Sequence, residues 1–192
     1  MSEFFHDTFL DAEPVAFASG LTRGTLIETV RGPRAIETLK LGDLIETADG
    51  DLQPLRSLSR QKMRGTGADA PVRISVGGIG NSEPLLLAPL HRVLLNGWQA
   101  ELYFGQDEVL IEARSLVNGT TVTRQECDQI EYLSLGFDAH QVILAQEALV
   151  ESDMPHENGD YIDAMRPRSN AAPSGKLARP TVDWAEARVV AV

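Results

Sequence analysis

The side chains able to do acid–base or nucleophilic chemistry are few in this sequence and lie far apart along it. Asp138 and His140 alternate within FDAHQVIL, so on a strand both would face the same side and form either a coupled acid–base pair or a structural ion pair. His91 lies between the apolar runs PLLLAPL and RVLL. This setting is typical of a histidine hydrogen-bonded in the core, and the alternative is a catalytic acid.

The sequence predicts no metal and no cofactor. Cys127 is the single cysteine, which excludes an internal disulfide, and its neighbours Glu126 and Asp128 disfavour a thiolate, so we expect it to be unreactive. The acidic stretch ESDMPHENGDYID lacks the ligand register of a calcium-binding EF-hand loop. The four histidines are too scattered to share a metal ion: His6, His91, His140 and His156.

The charge balance argues against nucleic acid and membrane surfaces as partners. The sequence has 28 Asp and Glu against 17 Lys and Arg, a formal net charge of −11, which repels phosphate backbones and anionic lipids. The start MSEFFHDTFLDAEP is acidic and unlike a secretory signal, and no apolar run reaches the ~18–20 residues of a membrane-spanning helix. We therefore expect a cytoplasmic protein whose partner is another protein or its own flanking segment.

Short strands joined by tight turns are predicted between residues 20 and 152. β-branched residues alternate in TLIETV, DLIETA, VRISVGG and TTVTR, and turn dipeptides such as Asp49-Gly50 and Asn96-Gly97 separate such runs. Within RAIETLKLGD the spacing predicts one turn of α- or 3₁₀-helix before Gly42. We predict a leader segment over 1–19, a mainly β domain over 20–152, and a linker with a C-terminal tail over 153–192.

The C-terminal part changes composition twice. RPRSNAAPSG is typical of a mobile linker, whereas the final TVDWAEARVVAV is apolar again. We expect this last stretch to dock as a terminal strand or helix with Trp184 and Val189 as anchors, or to bind a partner.

Three longer stretches share an order and spacing with a known family. GTLIETVRGPRAIETLKLGDLIETADGDLQPL contains Gly-Thr-x-Ile-x-Thr followed by Leu-x-x-Gly-Asp, and PLLLAPLHRVLLNG contains a histidine before Arg-Val. EYLSLGFDAHQVILAQEALVES contains a Phe-Asp pair, a histidine two residues on and a closing Glu-Ser. Together they cover about residues 20–152 and resemble the bacterial Hint domains, the fold shared by inteins and hedgehog autoprocessing domains.

The resemblance implies an almost all-β disc whose two ends meet at one site, and a self-processing reaction there. In that reaction a Cys or Ser at the first position of the domain attacks the preceding carbonyl. A histidine protonates the departing amide nitrogen, and a donor holds the oxyanion. Carried over to this sequence, the resemblance implies His91 as the acid, assisted by Asp138 or His140.

The residue expected as nucleophile is missing. Counting back four residues from Gly24 gives Gly20, which has no reactive side chain, and Ala88 stands three residues before His91 where the family has Thr or Ser. Two further histidines expected from the family are replaced by serine, at Ser115 and Ser134. We expect Gly20→Cys to restore thioester formation if the rest of the site is intact.

Ser19 is the nearest replacement, since its hydroxyl can attack the Ala18 carbonyl through oxygen. A displacement of one residue moves a side chain by up to about 3.8 Å, however, and errors of about 1 Å cost roughly 10²-fold in rate. The sequence therefore favours a Hint domain without self-cleavage that binds a protein partner through its acidic face and Trp184-containing tail. Residual acyl shift near Ala18–Ser19 is the alternative. The segment before Gly20 is too short to fold alone, so we expect little cargo for release.

Overall fold

In a computed structural model, residues 19–155 and 176–191 are described. Within these ranges the chain forms fourteen strands, two short α-helices and four 3₁₀ turns. None of the helices in these ranges is long and apolar enough to cross a membrane. The strands are β1 (Leu21–Thr22), β2 (Leu26–Ile27), β3 (Arg34–Ala35), β4 (Leu44–Glu46), β5 (Leu52–Pro54), β6 (Ser57–Gly65), β7 (Val72–Ile74), β8 (Leu85–Leu87), β9 (Arg92–Asn96), β10 (Glu108–Glu112), β11 (Val122–Arg124), β12 (Cys127–Gly136), β13 (Val142–Ala145) and β14 (Ala148–Glu151). The helices are α1 (Trp98–Phe104) and α2 (Trp184–Ala187), and the 3₁₀ turns are Ile36–Thr38, Gly67–Asp69, Ala113–Leu116 and Arg188–Ala191.

The strands pair antiparallel in two six-stranded sheets and one hairpin. The first sheet has the order β11-β7-β8-β1-β12-β6, the second the order β10-β9-β14-β13-β2-β3, and β4 pairs with β5. Side chains from both large sheets meet in one hydrophobic cluster, including Leu21 and Leu133 from the first sheet and Ile27 and Val150 from the second. Each such fully buried side chain contributes about 1.5–3 kcal/mol relative to an exposed one. The prediction of a mainly β fold is confirmed.

The Leu-x-x-Gly-Asp turn folds as its residue types predict. Residues Ile36–Thr38 form the expected single 3₁₀ turn. The Asp43 carboxylate then accepts a hydrogen bond from the backbone N–H of Lys40 at 2.8 Å and one from Arg34 Nη1 at 2.9 Å. One acidic side chain thereby ties the turn back to β3 and directs the chain into β4.

The turn predicted at Asn96-Gly97 is wrong. Gly97 has a φ of 71° and starts helix α1, which ends at the left-handed Gly105 and connects β9 to β10. Ala100 is the fully buried residue of this helix, while Trp98 and Leu102 have exposed fractions of 67% and 68%. Because its largest apolar side chains face solvent, the helix shows no apolar stripe in the sequence.

Part of the predicted tail lies against the β domain. The backbone around Thr181 forms a parallel bridge to Leu110 of β10, with Leu110 N–H donating to the Pro180 carbonyl at 2.8 Å and Val182 N–H donating to the Leu110 carbonyl at 3.2 Å. This contact extends the second sheet at its β10 edge. Residues 156–175, which include most of the predicted mobile linker, lie outside the described residues.

The anchors of this segment differ from those predicted. Ala187 is fully buried, and Val182 and Val190 pack against the main core. Trp184 and Val189, the expected anchors, are 41% and 45% exposed. The Trp184 ring instead lies 5.2 Å from the Arg114 guanidinium and 5.4 Å from that of Arg188, in cation–π contacts. The large Trp184 side chain is therefore not the one that enters the core; the small Ala187 is.

Gly20 occupies a backbone conformation that excludes a side chain. Its φ is +132°, and a Cβ added to it would lie 2.8 Å from the Leu133 carbonyl oxygen and 3.0 Å from Ser134 Oγ. The structure argues against the prediction that Gly20→Cys restores thioester formation, because the cysteine Cβ would collide with the backbone of β12. The fold thus requires glycine at this position, and glycine has no nucleophilic side chain.

We expect Gly20→Ala to lower the free energy of unfolding by about 1–3 kcal/mol, because the variant combines an unfavourable φ with a backbone collision. Gly24→Ala is the matched control, since Gly24 has a φ of +84° but no atom within 4 Å of an added Cβ. Chemical denaturation of both variants measures the difference. Equal stability losses for the two would contradict a steric requirement at Gly20.

Candidate functional site

Strand β12 brings the two ends of the β domain to one place. One of its edges pairs with β6 along most of its length, and the other pairs with β1, with Leu21 opposite Leu133. On this second edge Asp153 also forms a parallel bridge to Gly136, and its N–H donates to the Leu135 carbonyl at 2.7 Å. The chain therefore enters and leaves the domain along the same stretch of β12, as the resemblance implied.

The start of the domain is held from both sides. The Ser19 carbonyl lies 3.4 Å from Ser134 Oγ on β12, and the Gly20 carbonyl accepts a hydrogen bond from the Ala88 N–H at 2.9 Å. Ala88 is fully buried and takes part through its backbone, so no hydroxyl is present at this position to polarise an amide. Ser134, which replaces an expected histidine, contacts the segment directly.

Ser19 and His91 are brought into contact. Ser19 Oγ lies 3.2 Å from His91 Nδ1, although the residues are 72 positions apart in the chain. At this separation the imidazole can exchange a proton with the hydroxyl. The displacement of Ser19 by one residue from the expected position does not prevent this contact.

His91 is buried and held by its own backbone. His91 is only 3% exposed. Its backbone N–H donates to the Ala88 carbonyl at 3.0 Å, and its carbonyl accepts from the Ala113 N–H at 2.9 Å. His91 is therefore a buried histidine whose ring contacts Ser19, and its role as a catalytic acid stays a prediction.

A buried carboxylate contacts the residue that follows His91. Glu151, at the end of β14, accepts hydrogen bonds from the Arg92 N–H at 2.9 Å and from Arg92 Nη1 at 3.1 Å. Its Oε2 also lies 3.5 Å from His140 Nε2, and the His140 ring is completely buried. His140 thus belongs to a cluster with Glu151 and Arg92.

The environment of Glu151 favours its ionised form. Burial by itself would raise the pKa of this carboxyl, but its close contact with His140 and the electrostatic influence of His91 and Arg92 outweigh burial and lower the pKa. The residue therefore remains a carboxylate at neutral pH. A charge with this little solvent contact has to be matched by neighbouring cations and donors.

Asp138 and His140 do not form the pair predicted from their spacing. Strand β12 ends at Gly136 and β13 begins at Val142, so the two residues lie in a turn to which strand alternation does not apply. The Asp138 side chain is 62% exposed and forms a bidentate ion pair with Arg56, with distances of 2.8–3.0 Å. Exposed pairs of this kind contribute about 0–1 kcal/mol.

Arg92 and Ser134 are residues of this site that the sequence did not single out, and Glu151 was noted only as part of the closing Glu-Ser, without a role. The closing Glu-Ser of the last motif was the available signal for Glu151. Ser152 contributes by accepting from the Gln141 N–H at 2.9 Å. Cys127, half-buried at the start of β12, packs against a small apolar cluster of Ala88, Ile130 and Tyr132. Among residues 19–155 and 176–191, no three His, Cys, Asp or Glu side chains are grouped as metal ligands. His6 and His156 lie outside the described residues, as does most of the acidic stretch considered for calcium.

The lowered pKa of Glu151 makes a prediction about pH. A carboxylate whose pKa is lowered in the folded state stabilises the protein above its ordinary pKa, here 4.5, and this contribution is lost as the pH falls through the lowered value. We expect Glu151→Gln to flatten the acid side of the curve of unfolding free energy against pH, measured by denaturation from neutral pH to about pH 3. Asp138→Asn, the same chemical change at an exposed position, is the control. An unchanged acid side in Glu151→Gln would contradict a buried carboxylate at position 151.

Comparison with protein families identifies one that this chain matches. A family model described as the Hint domain matches residues 19–157, well over half of the chain. No curated protein matches the chain. Among solved structures, it is similar to a bacterial intein-like domain from Clostridium thermocellum, with 13% identity, a TM-score of 0.49, and 71% of this chain and 99% of that one covered.

Two other solved structures are comparable. The AceL NrdHF class 3 split intein has 14% identity and a TM-score of 0.47, and a DnaB intein from Synechocystis sp. PCC 6803 has 10% identity and a TM-score of 0.47. Each alignment covers 71% of this chain and 100% of the other. With the family match over residues 19–157 and the ends of the β domain meeting beside β12, the chain belongs to the Hint domain family.

Proposed function

We propose that this Hint domain carries out an intramolecular N–O acyl shift at the Ala18–Ser19 bond, with Ser19 as the nucleophile and His91 as the proton carrier. The observation that supports the proposal most directly is the 3.2 Å contact between Ser19 Oγ and His91 Nδ1. From the sequence alone, loss of self-cleavage was the favoured interpretation. The contact favours the alternative, because a serine hydroxyl is a weak nucleophile unless a base lies beside it.

The proposed step conserves atoms and charge. His91 Nδ1 takes the proton from Ser19 Oγ, and Oγ bonds to the carbonyl carbon of Ala18. The Ala18–Ser19 C–N bond then breaks, and the proton passes from His91 to the departing nitrogen. The product is an ester between Ala18 and Ser19 Oγ, with a free amine on Ser19. Ala18 lies outside the described residues.

Gly20 supports this role for Ser19. Its positive φ sets the direction of the chain just after the nucleophile, and the hydrogen bond from Ala88 N–H to the Gly20 carbonyl holds the next peptide in place. A side chain on this backbone at position 20 would collide with β12, so the turn requires glycine. We infer that the one-residue offset between Ser19 and the expected nucleophile position is accommodated by this turn of the backbone.

A protein-binding module is the second candidate. Helix α1 presents Trp98 and Leu102 to solvent with exposed fractions of 67% and 68%, and the acidic Glu101 lies between them. Exposed apolar side chains beside acidic ones are a common feature of protein-binding surfaces. The Trp184-containing segment supports this candidate less than the sequence suggested, because its ring lies between Arg114 and Arg188 of the same chain.

Hydroxylamine treatment followed by intact-mass measurement tests the acyl shift. An oxygen ester reacts with hydroxylamine, so we expect the purified full chain to release a fragment that begins with Ser19. Ser19→Ala should abolish this cleavage, and His91→Gln should slow it by about 10²–10⁴-fold, the usual contribution of acid–base catalysis. Thr22→Val is the matched control, since Thr22 also carries a hydroxyl on β1 but directs it to the Leu86 carbonyl.

Ser19→Cys provides a second, chemically distinct result. A thioester at position 19 should make cleavage sensitive to dithiothreitol, which attacks oxygen esters poorly. Gly20→Cys should remain insensitive because a side chain does not fit there. If the unmodified chain keeps a single mass under hydroxylamine and Ser19→Cys keeps one under dithiothreitol, the acyl shift is excluded and the binding module remains.

A further inference from the structure

We propose that Glu151 is the positioning residue of the Ser19–His91 pair, and that His140 links it to the C-terminal segment 176–191, so that docking of this segment is required for the reaction. The inference rests on the proposed acyl shift. The inference adds residues that do not react themselves but hold His91 in place. It also adds a part of the chain beyond the family match, which ends at residue 157.

Glu151 fixes the peptide that follows His91. The His91 carbonyl accepts from the Ala113 N–H, and the N–H of the same peptide, which belongs to Arg92, donates to Glu151 Oε1 at 2.9 Å. The His91 N–H also donates to the Ala88 carbonyl. The backbone is therefore held by hydrogen bonds both before and after the Cα atom that carries the imidazole. A rotation of this peptide would carry the ring away from Ser19 Oγ.

The negative charge of Glu151 also supports the proposed reaction. During the proposed step His91 becomes an imidazolium ion, and the negative charge of Glu151 is favourable to a cation at that position. The effect of His91 on the Glu151 pKa is the same interaction seen from the carboxylate. Arg92 and His140 also face Glu151, so the carboxylate is shared among three groups.

His140 has its hydrogen-bonding role set by the C-terminal segment. The backbone N–H of Ala178 donates to His140 Nδ1 at 3.0 Å, so Nδ1 carries a lone pair and the proton of neutral His140 is on Nε2. Nε2 in turn faces Glu151 Oε2 at 3.5 Å. The hydrogen bond from Ala178 therefore selects the tautomer that places a proton on the nitrogen facing Glu151.

The rest of the segment holds Ala178 in place. Arg179, the next residue, forms ion pairs with Asp49 and Glu108, and the backbone around Thr181 pairs with Leu110 of β10. Ala187 then enters the core. A continuous series of contacts therefore runs from the buried end of the segment through His140 and Glu151 to the peptide beside His91.

Two sets of variants of the full chain, assayed by hydroxylamine cleavage, test the inference. Glu151→Gln keeps the shape of the side chain but removes the charge that strengthens its hydrogen bonds from Arg92, so the peptide beside His91 is held less firmly. We expect the cleavage rate to fall by about 10²-fold, the effect of misplacing a reacting group by roughly 1 Å. The pH midpoint of the rate should also move to lower pH, because the variant no longer favours protonated His91. A residue with only a structural role would change stability without moving this midpoint.

The second set concerns the segment. Ala187→Asp places a charge at a fully buried position and should release the segment and slow cleavage, whereas Val189→Asp, at a position that is 45% exposed, should leave the rate close to that of the unmodified chain. His140→Phe keeps an aromatic ring at this position but removes both the acceptor for Ala178 and the nitrogen that faces Glu151. If His140 carries the coupling, Ala187→Asp should slow cleavage much less in this background. Circular dichroism confirms that each variant remains folded.

The outcomes separate the two proposals. If hydroxylamine does not cleave the unmodified chain and dithiothreitol does not cleave Ser19→Cys, the acyl shift is overturned and the inference with it. A cleaved chain whose rate and pH midpoint are unchanged in Glu151→Gln overturns the positioning role while leaving the acyl shift intact. Equal rates in the folded Ala187→Asp and Val189→Asp variants overturn the requirement for the docked segment.

Discussion

The arrangement of this domain depends on the sharing of strand β12 by its two ends. A strand has two edges, and in β12 one is occupied by β6 over most of its length. The remaining edge accepts β1 near Leu133 and Asp153 near Gly136, so the residues that begin and end the β domain lie side by side. This pairing determines which side chains meet Ser19, because Ser134 belongs to the same stretch of β12. The site is therefore a consequence of strand pairing between residues more than a hundred positions apart.

Around this site the energetics are governed by one buried charge. An ionised carboxylate is costly to bury unless cations and hydrogen-bond donors surround it, and removing one partner of such a group is more damaging than never having buried it. Glu151 meets this requirement with Arg92 and His140, which come from different parts of the chain. His140 is in turn capped by Ala178. The contacts of this one carboxylate thus connect three segments of the chain, whose relative positions the hydrophobic core alone would not determine.

The comparison of Ser19 with Gly20 illustrates how distance along a chain differs from distance in space. Counting residues assigned the nucleophile position to Gly20 and treated Ser19 as displaced by about 3.8 Å. The positive φ of Gly20 changes the direction of the backbone at that point, and Ser19 Oγ lies 3.2 Å from His91 Nδ1. Asp138 and His140 show the reverse case. Their alternation suggested a common face, but the turn after β12 sends one to solvent and the other to the interior.

By itself the sequence determined the class of fold, because alternating β-branched runs, turn dipeptides and the Leu-x-x-Gly-Asp turn are local patterns with local physical causes. It also identified His91 and His140 as candidate site residues, because both lie in stretches that resemble the motifs of the family. It did not predict helix α1, whose large apolar residues face solvent, or the importance of Glu151, whose role depends on partners from β9 and the turn before β13. Only the tertiary structure decided that Ser19 rather than position 20 contacts His91, and that Ala178 sets the tautomer of His140. Both depend on backbone angles and on contacts between distant segments, and neither leaves a periodic signal in a sequence.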